Sequence, residues 1–266
     1  MKHAEAQATP QTSLAWSFAL VFGVGLAMAV PAATVAANAA TNAATNAATN
    51  AAKNAADPVS LPGPGWRFVG LPQQKPPPTR YSATLLDGRP ALRIDAQASY
   101  GNWLHALNGP APASLAWSWR VDLPNPAADL RTRAGDDTAV KVCLSFDLPL
   151  EQVPFFEREL LRLARTRSPE PLPAATLCWV WGTAEARGSV LPNPFSRRVR
   201  YIVLRGTADG TGRWLDEQRD VAADWALAFG DESAQVPPVT AVAVAGDADN
   251  TGGRSVAFVS GLRLQR

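Results

Sequence analysis

Proline and glycine cut the chain between residues 58 and 266 into short segments, and they constrain the fold more than any other feature. With 23 prolines and 19 glycines in 266 residues, few uninterrupted stretches are long enough for a helix, and the segments between the breaks alternate apolar with polar residues. Short alternating runs bounded by turn residues predict antiparallel strands. The clearest case is a hairpin: Arg80–Leu86, then Asp87-Gly88, then Ala91–Ala96. Tyr81, Ala83 and Leu85 share one face, as do Leu92, Ile94 and Ala96 on the return strand, and Asp-Gly supplies the positive φ angles of a tight turn. Further strands are expected at Leu115–Val121, Ala139–Phe146, Thr176–Trp181, Val199–Arg205, Thr240–Ala245 and Val256–Leu264. No long helices alternate with strands as a parallel α/β sheet requires. The fold class expected is therefore mainly β, an antiparallel β-sandwich of the jelly-roll or lectin-like kind, with one or two short helices packed on it.

Two segments break the strand pattern. Glu151–Arg167 places Val153, Phe156, Leu160 and Leu163 at helical spacing, which predicts a helix that packs this stripe on a sheet. Val221–Phe229 reads as a second helix, capped by Asp220 and closed by Gly230, with Val221, Trp225 and Phe229 on its inner face.

The first 57 positions differ from the rest. Lys2 and His3 precede an apolar run, Leu14–Val30, and small residues continue to Ala37, which is the order of a secretory signal. Residues 1–37 are expected to be that signal, cleaved after Ala29 or Ala37 and directing the chain to the periplasm or the outside. Left uncleaved, the run is slightly shorter than the roughly 20 residues that span a bilayer. From Asn38 to Asp57 the unit Asn-Ala-Ala-x repeats five times. Methyl groups alone cannot supply a core, so residues 38–57 are expected to be a spacer. Residues 58–266 then form a single domain.

Charge excludes some partners. A formal net charge of +2 gives no field to recruit nucleic acid, and no such partner is expected. Of two histidines, His3 lies in the signal and His105 stands alone. A multi-histidine zinc site is therefore impossible, and any serine or cysteine triad would have to use that one imidazole. Cys143 and Cys178 lie in expected strands and can pair only if those strands are neighbours.

Chemistry is left to aromatic rings and carboxylates. Trp117 and Trp119 share one strand face, as do Trp179 and Trp181. Exposed, such rings stack on sugars; buried, they are core. Trp117, Trp119 and Arg120 form the candidate platform, with Asp136, Asp137, Arg219, Asp220 and Asp249 as polar contacts. Asp247, Asp249 and Asn250 place oxygens at spacings that suit a structural calcium, although Phe258 occupies the position of the bidentate glutamate in a helix-loop-helix calcium site. No other cofactor is expected. For cleavage, two of Asp137, Asp216, Glu217 and Asp220 would have to face each other across a groove.

As an ordered set, Trp66-Arg67-Phe68, Ala116-Trp117-Ser118-Trp119-Arg120-Val121, Gly135-Asp136-Asp137, Phe146-Asp147, Arg219-Asp220-Val221 with Asp224, and Asp247-Ala248-Asp249-Asn250-Thr251 resemble the bacterial domain of unknown function family 3047. The resemblance spans about Leu61 to Leu264. It implies an exported protein with a sandwich similar to lectins or carbohydrate-binding modules. The expected activity is non-catalytic binding of a glycan or cell-envelope polymer. The alternatives are a glycan-cleaving hydrolase or lyase, and a structural envelope protein.

Overall fold

A computed structural model describes residues 57–58, 61 and 63–265. The proposed signal and the spacer up to residue 56 lie outside them. The described chain forms thirteen strands: β1 (Asp57–Pro58), β2 (Trp66–Val69), β3 (Arg80–Leu86), β4 (Arg89–Gln97), β5 (Asn102–Gly109), β6 (Ser114–Leu123), β7 (Lys141–Phe146), β8 (Ala175–Trp181), β9 (Val190–Pro192), β10 (Val199–Arg205), β11 (Leu215–Asp220), β12 (Val239–Ala245) and β13 (Arg254–Gln265). Two α-helices join them, α1 (Phe155–Arg167) and α2 (Val221–Phe229). The first sheet runs β11-β6-β13-β4-β3, with β1 beside β13; the second runs β2-β5-β12-β7-β8-β10-β9. Every pairing is antiparallel except β8 with β10. The protein is thus mainly β, built as a two-sheet sandwich with two helices.

Alternation along the strands builds the core between the sheets. Leu92 and Ile94 of β4, Trp117, Trp119 and Val121 of β6, Val142, Leu144 and Phe146 of β7, and Trp179 and Trp181 of β8 belong to one buried cluster. Trp117 meets Trp179 and Trp119 meets Trp181 across the sheets, with ring centroids 5.6 and 5.9 Å apart. Each tryptophan buries a large apolar area, and these four fill the space at the middle of the sandwich. The turn of the β3–β4 hairpin is as the sequence demands, with Asp87 at φ 51° and Gly88 at φ 73°. However, Leu85 is 70% exposed, because β3 is the edge strand of its sheet.

Helix α2 matches its expected limits. The Asp220 side chain accepts the Ala223 N–H, and Val221, Trp225 and Phe229 are buried. Helix α1 starts at Phe155, after a short 3-10 turn at Leu150–Gln152. Its orientation corrects the expectation: Val153 and Leu161 are buried, whereas Phe156, Leu160 and Leu163 are 81%, 67% and 50% exposed. The stripe has helical spacing but does not face the sheet. Among the described residues no helix is long and apolar enough to cross a membrane.

Candidate functional site

The face of the second sheet turned away from the core differs from the ordinary solvated face of an antiparallel sheet, where polar side chains alternate outward. Its inner strand β12 presents Ala241, Ala243 and Ala245 there; the central strand β7 presents Lys141, Cys143 and Ser145; β8 presents Cys178 and Val180. Leu130, from the loop before β7, packs over Cys143, Cys178, Val180, Tyr201, Val203 and Ala243 in a separate small cluster. Cys143 and Cys178 stand opposite each other in adjacent strands and are joined as a disulfide, with Cα atoms 4.0 Å apart. The floor of this face is thus apolar and buried beneath Leu130, and the disulfide ties together two of its strands.

Polar side chains gather at one end of that floor. Lys141, at the first position of β7, is buried and bonds Asp247 Oδ2 at 2.5 Å; Asp247 Oδ1 accepts the Thr138 N–H at 2.8 Å. Burial alone would lower the Lys141 pKa, but the Asp247 carboxylate, with Tyr201, Tyr100 and Asp136 nearby, outweighs it and holds the ammonium well above its ordinary value. Tyr201 of β10 donates to Asp136 Oδ1 at 3.1 Å, and Asn193 Nδ2 donates to both Tyr201 Oη and Asp136 Oδ2. Burial, with the Asp247 charge adding to it, pushes Asp136 up to about 6 against the pull of Lys141, Tyr201 and Asn193. Asp249 is likewise pushed up to about 6 by burial and by Asp247 and Asp137. Its Oδ1 atom is buried with no hydrogen-bond partner. A buried acceptor left without a donor costs about 1–3 kcal/mol. Tyr100 and Asn102, bonded to each other at 3.3 Å, lie half-buried at the rim.

Backbone geometry fixes the loop that carries Asp247 and Asp249. A Cβ on Gly246 would stand 2.5 Å from the Ala139 carbonyl oxygen, so only glycine lets the chain leave β12 at that point. The Asp247 N–H then bonds Thr138 O and the Ala248 N–H bonds Ser99 O. The buried Asp137 carboxylate clamps the rest of the loop by accepting the N–H groups of Asn250 and Thr251 at 3.1 and 2.8 Å, with the Thr251 hydroxyl.

The residues singled out from sequence separate into several places. Trp117 and Trp119 are 2% and 0% exposed and form no platform, because β6 turns both rings toward the opposite sheet. Trp119 Nε1 instead donates to Glu217, which also accepts from Arg205 Nε. Arg120 points out from the first sheet and pairs with Asp122 and Asp87. Arg219 pairs with the buried Asp224, which also accepts the Trp179 indole N–H at 2.7 Å. Asp220 is occupied as the cap of α2. Only Asp136, Asp137, Asp247, Asp249 and Asn250 come together.

Two of the three residues expected to hold calcium have their side chains engaged within the protein. Both Asp247 oxygens are taken, one by an ammonium, and Asn250 presents its amide N–H to Asp136 O and Asp137 instead of its oxygen. Among the described residues no group of three or more His, Cys, Asp or Glu side chains is placed to hold a metal ion. The facing carboxylate pair is not formed either: Asp216 lies outward on β11 beside Ser118, while Glu217 turns inward.

Comparison with known families gives a match to residues 64–263, described as Protein of unknown function (DUF3047). The chain belongs to DUF3047. No curated protein matches it. Among solved structures it is similar to Trichoderma harzianum endoglucanase 3 from family GH12, at 12% identity over 77% of this chain and 91% of that one, with a TM-score of 0.38. No residue role is carried across at that level.

In this DUF3047 chain the sequence reading missed Lys141, Tyr201, Tyr100 and Asn193. One signal was available: Lys141 is one of only two lysines between residues 58 and 266, and it opens the otherwise apolar strand Lys141–Phe146. A charge at a position that alternation buries has to find a partner.

Proposed function

We propose that this protein is exported and binds a neutral, hydroxyl-rich glycan of the cell envelope on the outer face of its second sheet. The observation that carries the reading is the polar cluster at one end of the buried apolar floor, where Tyr100, Asn102 and Asp249 are half-buried at the rim. Apolar surface with a few fixed polar groups is the general design of a ligand site. Leu130 covers the floor, so a sugar would meet the half-buried end, where Asp249, Asn102 and Tyr100 supply acceptors and donors for hydroxyls. Three carboxyl groups, Asp136, Asp247 and Asp249, surround the single ammonium of Lys141, so a uronate-bearing chain would be repelled. The disulfide is consistent with an oxidising compartment, and the N-terminal sequence has the order of an export signal.

Calorimetric titration of the full chain with a neutral glucan, a uronate polysaccharide and peptidoglycan fragments tests this. Asp249→Asn and Asn102→Ala, both at the rim, are expected to weaken neutral-glycan binding about tenfold or more, the loss of a hydrogen bond to a charged group or its neighbour, without changing the melting curve appreciably. Unchanged affinity in both variants would remove the site from this face.

Cleavage is the second reading, and one observation favours it: Asp136 and Asp249 are both held near 6, where a carboxyl can give up and regain a proton at physiological pH. New reducing ends from the neutral glycan, lost in Asp136→Asn, would establish that reading over simple binding.

A further inference from the structure

Helix α1 is mounted with its amphipathicity inverted. Toward the body of the domain it turns Glu157, Leu161 and Arg165: Glu157 pairs with Arg197 and Arg198, Arg165 Nε bonds Leu172 O at 2.9 Å, and only Leu161 joins the core. Toward water it turns Phe156, Leu160 and Leu163, the i, i+4, i+7 stripe that a surface helix normally buries. Phe155, 61% exposed, packs edge-on against Phe156 and extends the stripe at its start. Leaving four large apolar side chains in water forgoes burial that each could have had, and a contiguous exposed patch of this kind marks an interaction surface.

The charges beside the stripe say what covers it. Arg162 and Arg167 flank it on the helix and Arg197 stands on the neighbouring loop, all exposed. Glu159 is bonded to Arg162 at 2.7 Å and Glu157 to Arg197 at 3.0 Å, and the four arginines of α1 outnumber its two glutamates, so the helix keeps a positive balance. Phenylalanine and leucine on one face with arginine at the margins is the pattern of a helix that lies in the headgroup region of an anionic bilayer. The sequence before the domain points the same way. Leu14–Val30 is an uncharged apolar run, joined to the domain by residues 31–56. A domain so attached, while that run is in a membrane, stays within reach of the bilayer surface.

We propose that α1 is a membrane-docking element that seats the domain on an anionic lipid surface through Phe156, Leu160 and Leu163, with Arg162 and Arg167 contacting headgroups. This docking is independent of the glycan face and stands or falls separately from it.

The test uses the full chain with an environment-sensitive fluorophore at Leu160→Cys and, as control, at Leu85→Cys on the exposed edge of the other sheet; Cys143 and Cys178 are bonded to each other and take no label. Each protein is mixed with vesicles of phosphatidylcholine alone or with an equal part of phosphatidylglycerol, with a nitroxide quencher at the headgroup. Several-fold stronger quenching at 160 than at 85, in the anionic vesicles only, is expected. Arg162→Gln and Arg167→Gln should each shift the docking equilibrium about fivefold away from the bilayer, and Phe156→Asp should abolish the difference between the two labels. Equal quenching at both positions would overturn the proposal. So would a 160 label already shielded before lipid is added: at doubled mass in sedimentation a second copy covers the stripe, and at monomer mass the chain's own N-terminal run does.

Discussion

On the first sheet the outward groups of β4 and β6 include arginines laid over rings or paired with surface carboxylates. On the second, the outward residues of β12, β7 and β8 are mainly alanine, cysteine and valine, with one buried lysine. Arg93 lies over Phe258 with its guanidinium carbon 5.5 Å from the ring centre, Arg89 lies over Trp214 at 5.6 Å, and Arg120 spans Asp87 and Asp122. These charges keep water on one side, so each pairing competes with hydration and nets little. Lys141 and Asp247 have left water behind, and each depends on the other for its charge. The same kind of ion pair is thus interchangeable on one face and committed on the other. Commitment of that kind is a cost that a purely structural face would not need to bear.

The largest expected effect follows from breaking the committed pair. Lys141→Met leaves a buried carboxylate facing a thioether, and unfolding in urea should show a loss of about 3–5 kcal/mol. A loss near that of an ordinary surface substitution would mean that the pair is hydrated, and the contrast between the faces would collapse. Restoring stability with the double variant Lys141→Met, Asp247→Leu would show that the cost lies in the orphaned charge and not in the shape of the site.

A somewhat smaller effect, about 3 kcal/mol, is expected from Asp136 and depends on pH. Its folded-state pKa of about 6 lies above the ordinary carboxylate value near 4, so the folded state still binds a proton that the unfolded chain has released. The stability it contributes is therefore present in full at low pH, falls as pH rises between about 4 and 6, and stays lost above that. Asp136→Asn should remove that slope, so the stability difference between parent and variant should change by about 3 kcal/mol across this window. Parallel curves for the two proteins would place Asp136 in water.

Much of the architecture was legible in the sequence, and the reason is local. The β3–β4 hairpin and helix α2 are written in turn and cap residues that need no tertiary partner, namely Asp87-Gly88 and Asp220. Strand β5 was missed because its inward row, Trp103, His105 and Leu107, alternates with Asn102, Leu104 and Ala106, a row too mixed to contrast with it. Period fixes which residues share a face, but the partner decides which face is inside. Trp117 and Trp119 share a face as expected and it is the inner one; Phe156, Leu160 and Leu163 share a face as expected and it is the outer one. Half of the candidate site was legible for a similar reason. Asp136, Asp137, Asp247 and Asp249 sit in polar loops that stand out along the chain, whereas Lys141 and Tyr201 join them only through the pairing of β7, β8 and β10.

The smallest expected effect belongs to Arg120, and it bears most directly on the contrast between the faces. Its guanidinium donates Nε to Asp122 at 2.6 Å and Nη1 to Asp87 at 2.7 Å, geometry as close as that of Lys141 with Asp247. Distance alone would rank the two sites together. Solvent separates them: Asp87 and Asp122 keep 58% and 35% of their side-chain surface in water, so either carboxylate is rehydrated at once when the arginine is removed. Arg120→Met should cost less than about 1 kcal/mol, and less still in high salt, and should leave glycan affinity unchanged, since the residue lies on the sheet opposite the proposed site. A cost equal to that of Lys141→Met would show that close geometry, not desolvation, sets the value of these pairs. A loss of glycan binding with folding intact would move the binding face to the first sheet.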